Sequence, residues 1–107
     1  MFTYLWEYWV KAEHLEEFLE YYGPGGKWVE LFRKGKGFVS TDLHQDVTNP
    51  YRFVTVDLWE SKSDRDTFRV LFKHEFKTID DHCENFTVKE NFLGDFEATR
   101  AGKVDLG

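Results

Sequence analysis

Two stretches of this chain carry apolar side chains at nearly every position, where a strand on a solvated sheet would alternate. Residues Phe2–Val10 read Phe-Thr-Tyr-Leu-Trp-Glu-Tyr-Trp-Val. In residues 51–60, Val54, Val56 and Leu58 share one strand face, while Phe53, Thr55, Asp57 and Trp59 share the other. Strand side chains alternate with a period of two, so both stretches predict strands shielded front and back. A layer of helices covers only one face of a sheet, so the second face of these strands needs another cover.

The remaining segments supply the helices and two further strands. Leu15, Phe18, Leu19 and Tyr22 fall at helical spacing with acids opposite, and Gly23-Pro24-Gly25-Gly26 ends that helix. Trp28, Leu31 and Phe32 repeat the pattern and stop at Lys34-Gly35-Lys36-Gly37. Phe38–Gln45 alternates as a half-exposed strand, and Asp46-Val47-Thr48-Asn49-Pro50 is turn chemistry. Ser61 or Ser63 can cap the next helix, where Phe68, Leu71, Phe72, Phe76, Ile79, Cys83 and Phe86 predict one long core-facing stripe. Residues 87–98 return as a strand, with Val88, Phe92 and Phe96 on one side, Leu93 on the other, and Gly94 marking a bulge. The predicted domain is residues 1–98, followed by a loose tail at 99–107.

At 107 residues the chain has room for one core, yet it carries eleven Phe, five Tyr and four Trp, a large apolar payload that a partner subunit would help to hide. A net charge of −6, spread along the chain, argues against nucleic acid and anionic membrane surfaces as partners. Residues 1–10 lack the layout of a signal peptide and no run has the length of a membrane span, so a cytoplasmic location is expected. The single cysteine, Cys83, allows no intrachain disulfide. No histidine pair has zinc spacing and no acidic cluster resembles a calcium loop, so no metal is expected. Gly23-Pro24-Gly25-Gly26-Lys27 fails as a phosphate loop, because Trp28 stands where Ser or Thr would meet magnesium.

The order strand, helix, strand, strand, helix, strand is a split βαβ arrangement, an α+β fold with a four-stranded antiparallel sheet. It places the first and third strands, those without a polar face, in the middle. Gly26-Lys27-Trp28-Val29-Glu30-Leu31-Phe32, Gly37-Phe38, residues 52–61 ending in Trp59-Glu60-Ser61, and Glu90 with Gly94-Asp95-Phe96 resemble the antibiotic biosynthesis monooxygenase family across roughly residues 2–97. That resemblance implies a ferredoxin-like βαββαβ fold, pairing sheet to sheet as a homodimeric α+β barrel, with a small-molecule pocket between each sheet and its helices. Members of that family range from cofactor-independent oxygenases acting on polycyclic phenols, through haem-degrading enzymes, to proteins of no known activity, and a shared fold does not carry a shared reaction.

Several side chains are candidates for chemistry. Asp57 lies in a strand interior among Phe53, Thr55 and Trp59, where an ionised carboxylate needs a partner such as Arg52, Arg69 or a histidine; it lines a pocket or holds a structural ion pair. At about 100° per residue, Glu75 and His82 fall near the helical apolar stripe and His74 opposite it. They form a proton-transfer pair or merely edge the core. Trp6, Trp9, Trp28 and Trp59 stack on a flat substrate or serve as core and interface, and His44 is a pocket wall or a dimer-edge residue. The Cys83 thiol, on the buried stripe among acids, is a poor nucleophile.

Three functions follow. In the first, an electron-rich aromatic or polyketide-like molecule activates oxygen in a dry pocket without a cofactor, with Asp57, Glu75 and His82 as catalytic candidates and Trp6, Tyr8, Trp59, Phe72 and Ile79 as substrate-binding walls. The second is haem degradation, for which relatives use an Asn on the first strand and a Trp and a His on the second helix. Here no Asn precedes Asn49 and no Trp lies in residues 68–86, so only His82 fits. The third is a non-catalytic binding or structural homodimer.

Overall fold

The computed structural model describes residues 1–99, so all of the anticipated tail except Thr99 lies outside the described residues. Strand β1 (Phe2–Val10) leads through a short 3-10 turn into helix α1 (Leu15–Tyr22), and α2 (Lys27–Phe32) follows the glycine-rich break. Strands β2 (Phe38–Gln45) and β3 (Arg52–Trp59) form a hairpin. Helices α3 (Lys62–Leu71) and α4 (Lys73–Cys83) and a 3-10 turn then lead into β4 (Thr87–Glu97). The sheet is antiparallel throughout, in the order β2-β3-β1-β4, so the two doubly apolar strands are central and fold as the split βαβ arrangement requires.

The register assigns each face. Phe2, Tyr4, Trp6 and Tyr8 of β1 stand opposite Trp59, Asp57, Thr55 and Phe53 of β3, on the side covered by helices. There Phe18 and Tyr22 of α1 pack on Tyr8 and Phe53, with ring centroids 4.8–5.7 Å apart, and Phe68 of α3 packs on Trp59 at 5.1 Å. Gly35 makes this fit possible: a Cβ there would lie 2.8 Å from the Phe68 ring and 2.9 Å from Trp59. Leu5, Trp9, Val54, Val56 and Leu58 point to the other face and are half-buried within one chain. Glu7 is on that face too, held by Arg52 at 2.6–2.7 Å and by Asn91 at 2.6 Å, while Arg52 also reaches Asp46 at 3.0 Å and lies over the Trp9 ring.

Two expectations change. The long helix across residues 68–86 is broken at Phe72, whose φ of −109° and ψ of 27° interrupt the ladder between α3 and α4. Neither Gly nor Pro marks the break. The Phe72 ring stacks on Phe68 at 5.3 Å, and the turn swings α4 so that Phe76 meets Trp28 at 4.9 Å, leaving Leu71 71% exposed instead of in the core. In β4 the bulge falls where Gly94 predicted it, at a register shift between Leu5 and Trp6, and Gly94 has a φ of +140°. That extra residue changes which side chains share a face: Phe92 pairs with Trp6 on the helix side, whereas Phe96 pairs with Thr3 on the far side, and Val88 is exposed. The cap of α3 is Ser61, whose Oγ accepts from the Asp64 amide at 3.0 Å.

No helix among the described residues is long and apolar enough to cross a membrane. The helix break makes a paired prediction. Phe68→Ala empties a fully packed site and costs about 3–5 kcal/mol, whereas Leu71→Ala stays within about 0.5 kcal/mol of the parent. Urea unfolding of both variants checks it, because a continuous helix with Leu71 in the core would penalise both.

Candidate functional site

Rigid rings on the inner face of β1 and on the helices leave a cavity of about 200 Å³ between them. Tyr4, Trp6 and Tyr8 form its floor, and Thr41, Thr55 and Asp57 its β2–β3 flank. Tyr22, Trp28 and Phe32 close it from α1 and α2, Arg69, Phe76 and Asp80 from α3 and α4, and Glu90 from β4. The walls are mostly aromatic with a few convergent polar groups, the usual character of a small-molecule site, although the volume is below the roughly 300–1,000 Å³ of drug-sized pockets.

Asp57 is the most buried charged group of the site, 5% exposed. The register sets it between Tyr4 and Thr41, and Thr41 Oγ1 donates a hydrogen bond to Oδ1. Burial pushes its carboxyl up to about 6, while hydrogen bonding from Thr41 and Tyr4 and the charges of Arg69 and Arg65 pull it part of the way back. Burial also raises the Tyr4 and Tyr8 hydroxyls, which therefore stay protonated as donors. The Arg69 guanidinium lies 5.5 Å from the Tyr4 ring centre and 5.3 Å from that of Phe76. It makes no ion pair within 4.0 Å among the described residues. Arg52, the other cation anticipated for Asp57, is instead committed to Glu7 on the far face.

Two buried polar atoms of cavity-lining residues, Thr55 Oγ1 and Trp28 Nε1, have no partner at ordinary hydrogen-bond distance among the described residues, their nearest polar neighbours being the Tyr8 hydroxyl and the Cys83 thiol. Groups of this kind cost about 1–3 kcal/mol each when dry, and a ligand hydroxyl or carbonyl would satisfy them. Across the floor, Asp80 and Glu90 are half-buried, and burial followed by neighbouring carboxylates raises both above the ordinary acid range. No cluster of three metal-ligating side chains occurs among the described residues.

Of the residues singled out from sequence, Asp57, Trp6, Tyr8 and Trp28 come together on this cavity. Trp59 lies behind it, fully buried against Phe32, Phe38 and Phe68. Phe72 and Ile79 are half-buried on the core without reaching the cavity wall. Glu75 and His82 do not point into an aromatic cavity. Glu75 is exposed, and His82 stacks on Tyr21 at 5.0 Å and meets Phe86 at 5.3 Å at the surface. Glu75 and His82 each stand one residue, about 100°, from the core-facing Phe76 and Cys83 of α4, which is enough to turn them to solvent. His74 and His44 are both exposed, and Cys83 is 1% exposed with its thiol pushed by burial up to about 11.

Sequence reasoning missed Tyr4, Thr41, Asp80 and Glu90 as site groups, and it named Arg69 only as a partner for Asp57. Asp80 did leave a signal: with Phe76 and Cys83 it completes an i, i+4, i+7 stripe. Glu90, two positions before Phe92, shares that residue's strand face.

A family model for antibiotic biosynthesis monooxygenases matches residues 1–75. Among curated proteins, none matches at a significant level. Solved structures do. A Deinococcus radiodurans protein assigned as an antibiotic biosynthesis monooxygenase superposes with a TM-score of 0.80 at 15% identity, over 98% of this chain and 99% of its own. A conserved Methanosarcina mazei protein gives 0.76 at 17%, over 92% of each chain. SnoaB, a cofactor-independent oxygenase from Streptomyces nogalater, gives 0.71 at 16%, over 94% of each chain. At such identities the likeness carries the α+β ferredoxin-like fold and leaves the reaction open.

The raised Asp57 carboxyl fixes the sign of a stability experiment. Its folded value of about 6 exceeds the ordinary 3.8, so the native state holds the proton more tightly and loses stability as pH rises from about 4 to about 6. Asp57→Asn removes that loss. By denaturant unfolding the variant is more stable than the parent at pH 7.5, by on the order of 1–3 kcal/mol, and the gain vanishes near pH 4. A variant less stable at pH 7.5 would mean that Asp57 is held by a strong ion pair.

Proposed function

The chain belongs to the antibiotic biosynthesis monooxygenase family, and from that premise we propose that it is a cofactor-independent monooxygenase acting on a small electron-rich aromatic held between sheet and helices. The observation that carries the reading is Asp57, a dry carboxylate on the cavity wall whose pKa of about 6 suits a general base near neutral pH. In this reading an Asp57 Oδ takes the proton of a ring hydroxyl. The unpaired Arg69 guanidinium and the Tyr4 hydroxyl stabilise the resulting phenolate.

The phenolate, itself the reductant, passes one electron to dioxygen. The two radicals join through a new C–O bond at the para ring carbon, and the peroxide picks up a proton. Cleavage of its O–O bond, with loss of the hydrogen on that carbon, leaves a ring carbonyl and releases water. The balance is one phenol and one O₂ to one quinone and one H₂O. The ring-lined walls limit the access of bulk water to the intermediate. Its size favours a one- or two-ring substrate over a four-ring one.

The oligomer belongs to the same proposal. Leu5, Trp9, Val54, Val56 and Leu58 form an apolar far face that helices of the same chain do not cover, and a second copy placed sheet to sheet would bury it. Light scattering then reads twice the 12.8 kDa chain mass, and Val56→Glu, at the centre of that face, reads one. A folded parent that is monomeric at micromolar concentration contradicts the pairing.

The reaction is tested with an oxygen electrode and a panel of one- and two-ring phenols whose para carbon carries a hydrogen. The expected result is one O₂ consumed per quinone formed without hydrogen peroxide, with kcat rising through an apparent pKa of about 6. Asp57→Asn lowers kcat by about 10²–10⁴-fold. Binding of these compounds without oxygen uptake would favour the non-catalytic small-molecule-binding homodimer.

A further inference from the structure

The aromatic-substrate reading leaves one part of the cavity unused. Its wall carries three carboxylates, Asp57, Asp80 and Glu90, and one guanidinium, Arg69. Arg69 lowers the Asp57 carboxyl and also acts on Asp80, so one guanidinium is shared between two of the three carboxylates. Neither Asp80 of α4 nor Glu90 of β4 has an ion-pair partner within 4.0 Å among the described residues. The nearest lysine of α4, Lys77, is held by Asp81 at 2.7 Å, and Glu90 receives only the Thr87 hydroxyl, at 3.2 Å. Both carboxyls are raised, by burial and then by surrounding negative charge, with Glu84 acting on each.

We propose that the preferred ligand carries a protonated amine beside its aromatic ring, held by Asp80 and Glu90 against the faces of Trp6, Tyr8 and Tyr22. This rests on the aromatic-pocket reading and deepens it by naming the substrate class, a hydroxyaryl alkylamine. Two kinds of observation point the same way. The cavity wall carries three carboxylates to one guanidinium, and the aromatic rings that line the same cavity are the other half of an ammonium site. Independently, Thr55 Oγ1 is buried beside the Tyr8 hydroxyl with no partner at ordinary hydrogen-bond distance among the described residues, and it and Asp57 would take up the ring hydroxyl.

The spacing agrees. Asp57 pairs with Tyr4 and Glu90 with Tyr8, so their α-carbons are four residues apart along β1 and one strand out on either side of it. That is roughly 16 Å from strand geometry, part of which the two side chains span. A ring with a short aminoalkyl arm fits the remainder. An anionic arm would be repelled by the same two carboxylates.

The test uses three hydroxynaphthalenes that differ only in a methyl, an aminomethyl or a carboxylate substituent, with binding followed by tryptophan fluorescence and calorimetry at pH 7.5. The aminomethyl compound binds about ten-fold tighter than the methyl compound, and the carboxylate binds weakest. In the Asp80→Asn, Glu90→Gln double variant, checked for an unchanged circular dichroism spectrum, the methyl compound keeps its affinity and the aminomethyl advantage disappears. If the methyl and aminomethyl compounds bind the parent equally, or if the advantage survives the double variant, this inference is overturned while the aromatic pocket stands. If none of the three binds, the pocket reading falls and takes this one with it.

Discussion

The inner-facing rings of β1 and β3 meet the rings of α1, α2 and α3 in one continuous layer, with Phe18, Trp59 and Phe68 almost wholly shielded from solvent. Flat, rigid rings cannot tile a curved space without gaps, since each has only two side-chain torsions with which to adjust. Where the layer is tightest, around Trp59 and Phe68, only Gly35 lets the chain pass. Where it is loosest, over Tyr4, Trp6 and Tyr8, a cavity remains. The same packing that holds the sheet to its helices therefore leaves the cavity and lines it with rings.

A strand with both faces apolar has a second consequence on the opposite side of the sheet. Glu7 is the one acid among the outward-facing residues of β1, and it is fully engaged by Arg52 and Asn91 across both neighbouring strands. A buried ion pair adds little net stability, but breaking one leaves a costly unpaired charge. The Glu7–Arg52 pair is the charged exception on a face otherwise carrying Thr3, Leu5 and Trp9 of β1 and Val54, Val56 and Leu58 of β3. The two faces differ accordingly: rings line the inward one around the cavity, and the outward one carries mostly aliphatic side chains and this charged clasp.

Much of this was legible because period-two patterns survive translation into sheets. The faces of β1 and β3, the bulge at Gly94 and the Ser61 cap follow from residue type and spacing. Asp57 stood out because a carboxylate inside an apolar strand demands an explanation. The helix break at Phe72 was invisible, since no Gly or Pro marks it and it arises from the stacking of Phe72 on Phe68. Some placements around that point shifted: Leu71, one residue before it, lies out of the core, Glu75 and His82 stand at the surface and Asp80 lines the cavity, whereas Phe76, Ile79, Cys83 and Phe86 keep to the core. Phe96 changed face because one bulged residue alters the parity of every later position in its strand.

The account turns on a dehydrated carboxylate poised near neutrality among aromatic rings. The most direct measurement is the titration of the Asp57 side-chain carboxyl carbon by NMR, assigned with the Asp57→Asn variant. The account predicts a midpoint near 6, about two units above an ordinary aspartate. A midpoint at or below about 4 would contradict it, because Asp57 would then be hydrated or firmly ion-paired and unfit to take a proton from a phenol.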